Sequence, residues 1–155
     1  MLTKNLSVKQ QYDHAKDLEK EGKVTEAIDA YQKLTKVDPS YTDAWSRLMI
    51  LLRKLKSGTQ EISTIKLAIS SYKKTIEAKQ KKWVQKNKKK AELSRALAQS
   101  LGLLRDNGLP TYQDEIITKW QTRLHLLEHK LANTKPKKKS TLKKTIRKSK
   151  TQNSR

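Results

Sequence analysis

A stretch near the N-terminus, residues 22–48, most constrains the fold of this 155-residue chain, because a strong helical pattern there meets a sharp stop. Ala27, Tyr31 and Leu34 lie at i, i+4 and i+7, so one face of a helix carries all three. Pro39 ends this pattern, since proline disfavours the helical conformation in the residue before it. A second apolar face begins six residues later. The stretch therefore predicts two helices joined by a tight turn.

This pattern resembles the tetratricopeptide repeat, a helix-turn-helix unit of about 34 residues with the order Trp-x2-Leu-Gly-x2-Tyr, Ala-x3-Phe and Pro. Ala27, Tyr31 and Pro39 keep the family's spacing, and Trp45 and Leu48 stand where the next repeat's Trp and Leu belong. At the earlier positions of the first repeat the chain departs from the pattern twice and fits it twice, and the residues concerned are Gln11 and His14, then Ala15 and Leu18.

The second repeat is irregular. The resemblance places its Ala and aromatic residue at Glu61 and Ile65, but the recognisable copy, Ala68 to Tyr72, comes seven residues later. A two-turn extension of the third helix, or a longer loop around Gly58, would explain this offset.

The predicted fold is all-α: a short, right-handed array of tetratricopeptide-like hairpins with about six helices. A helical domain covers residues 1–133, with repeats at about 8–41 and 42–82 and a C-terminal hairpin at 91–132. Residues 134–155 form a basic tail with two isolated aliphatic residues and no acid, and we expect this tail to be disordered. The predicted helices span about 7–21, 25–37, 40–57, 59 to a break at 86–90, 91–105 and 111–132.

The last two helices are predicted from apolar spacing. The buried side of the fifth helix is expected to contain Leu93, Ala96, Leu97, Leu101 and Leu104, with the helix closing at residues 106–108. The sixth shows a short heptad seam, which we interpret as packing on the array rather than as a coiled coil. This seam consists of Ile117, Trp120, Leu124, Leu127 and Leu131.

Charge is distributed unevenly over the chain, whose formal net charge is +21. Residues 73–95 contain ten Lys/Arg and two acids, and residues 135–155 contain ten Lys/Arg and no acid. Such segments attract phosphate polyanions without reading base sequence, and Trp83 could add a stacking ring. The alternative is a solvated helix face and a solubilising tail. The candidate polyanion contacts are Lys81, Lys82, Trp83, Lys86, Lys88, Lys89, Lys90, Lys137, Lys138, Lys139, Lys143, Lys144, Arg147 and Lys148.

A His-x-x-Glu-His motif, His125 to His129, is similar to the motif of inverted zinc peptidases. Its two imidazoles lie one helical turn apart, but no acidic residue follows Glu128 to complete such a ligand set. The motif also lies off the apolar seam, so we expect a solvated helix face. With four scattered glycines and no cysteine, the sequence points to no catalytic residue, metal site or cofactor, and we predict that the protein is not an enzyme.

The resemblance implies a partner groove lined by the first helix of each repeat, which would receive a peptide or helix of another protein. The leading interpretation is thus a protein-interaction adaptor; the alternative is a nucleic-acid- or ribosome-associated protein that binds RNA or DNA through its basic segments. We expect a cytoplasmic location, or a nuclear one in a eukaryote, and no membrane insertion. The implied groove residues are Tyr12, Lys16, Glu19, Asp43, Ser46, Arg47 and Ile50.

Overall fold

The computed structural model describes residues 6–105, 108 and 114–134, and these residues form six α-helices and no β-strand. The predicted all-α class is therefore confirmed, whereas residues 135–155 of the predicted tail lie outside the described part. The helices are α1 (Val8–Lys20), α2 (Val24–Val37), α3 (Thr42–Lys54), α4 (Gly58–Lys86), α5 (Lys88–Ser100) and α6 (Glu115–Thr134).

The first four helices contain a repeat of 34 residues. The start of α1 recurs at the start of α3, and the start of α2 recurs at the start of α4, each 34 residues later. The end of α1 repeats in its hydrogen bonds as well: Lys23 N–H donates to Leu18 O, and 34 residues on Ser57 N–H donates to Leu52 O, both at 3.0 Å. The two α-hairpins therefore share one local geometry.

This repeat corrects the offset expected for the second hairpin. Neither a longer third helix nor a longer loop is present, because α1 and α3 both have 13 residues and both connections have three. Glu61 and Ile65 occupy the places of Ala27 and Tyr31 and are buried like them. Tyr72, the apparent copy of Tyr31, instead packs its ring edge-on against Trp120 of α6, with the centroids 5.8 Å apart.

The core lies between successive helices of the array. Tyr31, Trp45 and Leu48, which stand at apolar positions of the repeat pattern, are buried. The indole N–H of Trp45 donates to the carbonyl of Pro39 at 3.0 Å. Apolar spacing places Leu55 on the buried side of the third helix, but this residue follows the end of α3 and is exposed. The remaining buried apolar residues of the first four helices are Ala15, Ala27, Leu34, Ala44, Met49, Leu51, Leu52, Ile65 and Ala68.

Helix α6 packs on α4, as its apolar seam predicts. Ile117, Trp120 and Leu127 are buried, and Leu124 and Leu131 are partly buried. A buried carboxylate reinforces this packing: Glu61 of α4 binds a guanidinium from each neighbouring helix. The helix therefore covers the end of the array.

Helix α5 departs most from expectation. The predicted break in the long fourth helix is confirmed at Asn87, but α5 then ends at Ser100, and Gly102 follows with a φ of +67°. The principal contacts of α5 and α6 are each with α4, rather than with each other in a hairpin. The expected buried side of α5 is wrong because Ala98, not a leucine, packs inward; the exposed residues are Leu93, Ala96, Leu97 and Leu101, while Leu104 is half-buried.

Candidate interaction surfaces

Two surfaces carry the residues singled out in the sequence. The α1/α3 face contains Tyr12, Lys16, Glu19, Asp43, Ser46, Arg47 and Ile50. The junction cluster, at the meeting point of α4 and α5, contains Lys81, Lys82, Trp83, Lys86, Lys88, Lys89 and Lys90. The tail lysines and Arg147 predicted to contact polyanions lie outside the described residues.

An ion pair joins the two helices of the α1/α3 face. The Arg47 guanidinium of α3 donates to the Glu19 carboxylate of α1, through Nε at 3.2 Å and through a second, shorter hydrogen bond from its terminal nitrogen. Lys54 Nζ lies 3.9 Å from the same carboxylate, and the Tyr31 hydroxyl donates to it at 3.4 Å. Glu19 is largely buried and fully engaged, so it fixes the spacing of the helices more than it offers a free contact.

Aromatic rings form one wall of this face. Tyr12 packs on Tyr31 and Tyr41, with ring centroids 5.8 and 5.2 Å apart. Burial raises the pKa of the Tyr12 phenol, and the nearby Asp43 carboxylate raises it further. Burial and the Glu19 carboxylate raise the pKa of Tyr31 to about 12. Both phenols are therefore neutral hydrogen-bonding groups at neutral pH.

The remaining residues of the α1/α3 face differ in their availability. Lys16 and Asp43 are exposed, and Ile50 is half-buried. The Ser46 hydroxyl donates to the Thr42 carbonyl of its own helix at 2.9 Å. The structure thus brings Tyr12, Glu19, Asp43 and Arg47 into one contiguous group, with an acid and a base exposed at its edge. Such a surface can hold a peptide by apolar contact with the rings and by charge at the rim.

The Arg47 guanidinium keeps its positive charge in this setting. Its hydrogen bond with Glu19 raises the pKa of Arg47 against the opposing effect of burial. Part of the guanidinium side chain is still accessible to solvent. An acceptor on a partner could therefore share this cation without breaking the helix-to-helix ion pair.

All seven side chains of the junction cluster are exposed. The α4 helix ends there because Asn87 leaves the helical conformation, while its side-chain amide donates to the Trp83 carbonyl at 3.0 Å. Trp83 is 48% exposed and borders a cavity of about 280 Å³. This cavity is lined by Val84, Lys88, Ala91, Arg95 and Leu104, among others. Trp83 and Lys88 therefore border one cavity, and the other five lysines are exposed around the same two helix ends.

The histidine motif of α6 faces solvent, as its position off the seam predicts. The rings of His125 and His129 are 6.5 Å apart, and Asn133 Nδ2 lies 3.1 Å from Nδ1 of His129. Glu128 pairs with Lys66 of α4 at 2.7 Å. Across residues 6–105, 108 and 114–134, no group of three His, Asp or Glu residues is placed to hold a metal ion.

Reasoning from the sequence misses two features. The first is Glu61, 1% exposed, whose carboxylate accepts from Arg53 at 3.1 and 3.2 Å and from Arg123 at 2.9 and 3.1 Å. Glu61 follows Ala27 by 34 residues, one repeat length, so its place at a core position of the repeat could have indicated burial. The second is the exposure of the α5 leucines. Their spacing does not indicate it, because a buried helix face has the same spacing.

Comparisons with protein-family models, with curated protein sequences and with solved structures gave no match to this chain. Among the helices that the structure describes, none is both long enough and apolar enough to cross a bilayer.

Proposed function

We propose that this chain is a non-enzymatic interaction module of the tetratricopeptide type, which holds a peptide or helix of another protein on its α1/α3 face. The observation that carries the proposal is the 34-residue recurrence of the helix starts, Val8 to Thr42 and Val24 to Gly58. This recurrence equals the length of the tetratricopeptide unit. It supports the resemblance to the tetratricopeptide family, because the side-chain pattern alone matches that family only in part.

The arrangement of the α1/α3 face supports the same proposal. The ion pair of Glu19 and Arg47 joins its two helices. The face is therefore preorganised, and little conformational entropy is lost there when a partner binds. The half-buried Tyr12 offers a ring, and the exposed Lys16 and Asp43 offer charges of both signs. We therefore expect a partner segment with an apolar anchor flanked by polar or charged residues.

Selection of 15-residue peptides from a display library tests this function. The selection is run on the full chain after nuclease treatment and at high salt, which suppresses adsorption to the basic segments. Binding of the selected peptides is then measured by fluorescence anisotropy for the wild type and for the variant Lys16→Glu/Asp43→Lys. We expect this charge exchange on the α1/α3 face to weaken binding at least tenfold.

The matched control is Asp29→Lys/Lys33→Glu on α2, which exchanges the same charges at exposed positions outside the α1/α3 face. We expect it to change affinity less than twofold. If both variants weaken binding equally, or if the selected peptides are uniformly acidic and release at higher salt, the proposed face is wrong.

A second candidate function is binding of a nucleic acid, alone or within a ribosome. The specific observation in its favour is that six exposed lysines lie within seven residues of the exposed Trp83, and that Lys88 borders the same cavity as its ring. Lysines neutralise backbone phosphates, and an accessible indole stacks on an unpaired base. This combination favours single-stranded over duplex nucleic acid.

A further inference from the structure

Three leucines, two in α5 and one directly after its end, lie exposed along one side of the helix. Leu93, Leu97 and Leu101 are 75%, 62% and 62% exposed. Because they are spaced four residues apart, they form a row about 12 Å long, the leucine stripe. The buried Ala98 lies about 100° around the helix from Leu97, and α5 packs on α4. The array therefore leaves its most apolar α5 positions uncovered.

The surroundings of the leucine stripe are strongly cationic. The helix that carries it, residues 88–100, contains four Lys/Arg and a single acid, Glu92. Lys89 and Lys90 precede Leu93 by four and three residues, so they lie one turn along from the stripe and extend it at its N-terminal end. An occupant of this surface must consequently be both apolar and negatively charged.

This requirement excludes three candidate occupants of the leucine stripe. A second copy docked through the same stripe would bring its own α5 cations against those of the first. The segment at 135–155 carries ten Lys/Arg and no acid, so it is repelled in the same way. A nucleic acid would satisfy the lysines, but its charged backbone would leave the leucines without apolar contact.

We propose that the leucine stripe and its lysines bind the surface of an anionic lipid bilayer. A 13-residue helix is too short to cross a bilayer, but its apolar face can lie in the interface while the lysines contact lipid phosphates. A bilayer requires no complementary shape, whereas an acidic partner helix on so short a stripe would bury far less than the roughly 800 Å² per partner of a stable complex. The α1/α3 face does not contribute to this binding.

Sedimentation of the full chain with vesicles tests the proposal. Vesicles of phosphatidylcholine with about one third phosphatidylglycerol are compared with vesicles of phosphatidylcholine alone, and only the first should bind. We expect Leu93→Gln/Leu97→Gln/Leu101→Gln to reduce this binding at least tenfold. Glutamine retains good helix propensity, so circular dichroism should show an unchanged fold. We expect Lys89→Gln/Lys90→Gln to reduce binding several-fold.

The chain supplies a matched control, Leu55→Gln/Leu67→Gln/Leu126→Gln, which replaces three exposed leucines outside α5. This control should bind the anionic vesicles within twofold of the wild type. If the α5 triple variant also binds like the wild type, charge alone holds the protein and the proposal is wrong. Absence of wild-type binding, or a wild-type dimer that the α5 variant converts to a monomer, overturns it too.

Discussion

Lys56 adopts a backbone conformation that lysine rarely has. Its φ is +55°, in the left-handed region, at the end of α3. The equivalent residue 34 positions earlier is Gly22, with a φ of +78° at the end of α1. The same turn is therefore formed once by the residue best suited to it and once by a residue whose Cβ is crowded in it.

We predict that Lys56→Gly raises the free energy of unfolding by about 0.5–1 kcal/mol, because relief of the left-handed strain exceeds the entropy that glycine adds to the unfolded chain.

Conversely, Gly22→Ala should lower the free energy of unfolding by about 1 kcal/mol. Backbone strain alone causes this loss, since a Cβ at Gly22 meets no atom within 4 Å. Urea unfolding followed by circular dichroism at 222 nm measures both changes.

The control for the glycine substitution is Lys33→Gly, at an exposed position inside α2. Glycine there should lower the free energy of unfolding by about 1 kcal/mol, because the helical conformation offers no strain to relieve. If Lys56→Gly also destabilises, the left-handed turn after α3 is not strained.

These two residues show what can and cannot be predicted from the sequence at this scale. Gly22 is a recognisable helix stop, and the capping box of Ser7 and Gln10 is a recognisable helix start, which the structure contains. Lys56 has no preference for a turn, so the sequence instead indicates an end of α3 near Gly58. That glycine in fact begins α4.

At the scale of the helices, Glu61 is the central connection. Its carboxylate, on α4, is bound by Arg53 near the end of α3 and by Arg123 of α6. A buried carboxylate is costly unless its oxygens are satisfied, and here four N–H groups donate to it. This residue therefore orients the last helix on the array as well as stabilising it.

We predict that Glu61→Gln lowers the free energy of unfolding by about 2 kcal/mol. The neutral amide loses its charge attraction to both arginines, and its NH2 group cannot accept the hydrogen bond that Arg123 now donates to the second carboxylate oxygen. The comparison is Glu128→Gln, which removes the same charge from an exposed pair with Lys66 on the same two helices. Such a surface pair contributes about 0.5 kcal/mol or less. Equal effects of the two substitutions in urea unfolding would refute a structural role for Glu61.

Apolar spacing predicts the buried faces of α2, α3 and α6 better than that of α5. It correctly places Tyr31, Trp45 and Leu48 in the core, and it also identifies the seam of α6. In α5 the same reasoning fails, because periodicity shows which residues share a face but not whether another element covers that face.

On the scale of the whole molecule, the cationic segments and the repeat hairpins occupy different parts of the chain. The repeat hairpins carry nearly balanced charge, and the excess of cations begins in the second half of α4. The α1/α3 face and the junction cluster can therefore be tested independently. This separation also distinguishes the two candidate functions, because salt weakens binding to a cluster of like charges far more than binding to a face that carries rings and charges of both signs.

We predict that the junction cluster binds single-stranded nucleic acid through two separable contributions. Lys81→Gln/Lys82→Gln/Lys86→Gln should make the dependence of log K on log salt less steep by about 0.7 for each phosphate that the variant leaves unneutralised. Trp83→Ala should weaken binding of an oligothymidine about tenfold at every salt concentration without changing that slope, because stacking releases no counterion.

Anisotropy titrations at salt concentrations from roughly 50 to 300 mM measure both effects. A duplex of equal length is the control: its bases are not free to stack, so its binding should be insensitive to Trp83→Ala. If the lysine variant keeps the full slope, the cations at residues 135–155 carry the binding, and the junction cluster is a solvated helix face.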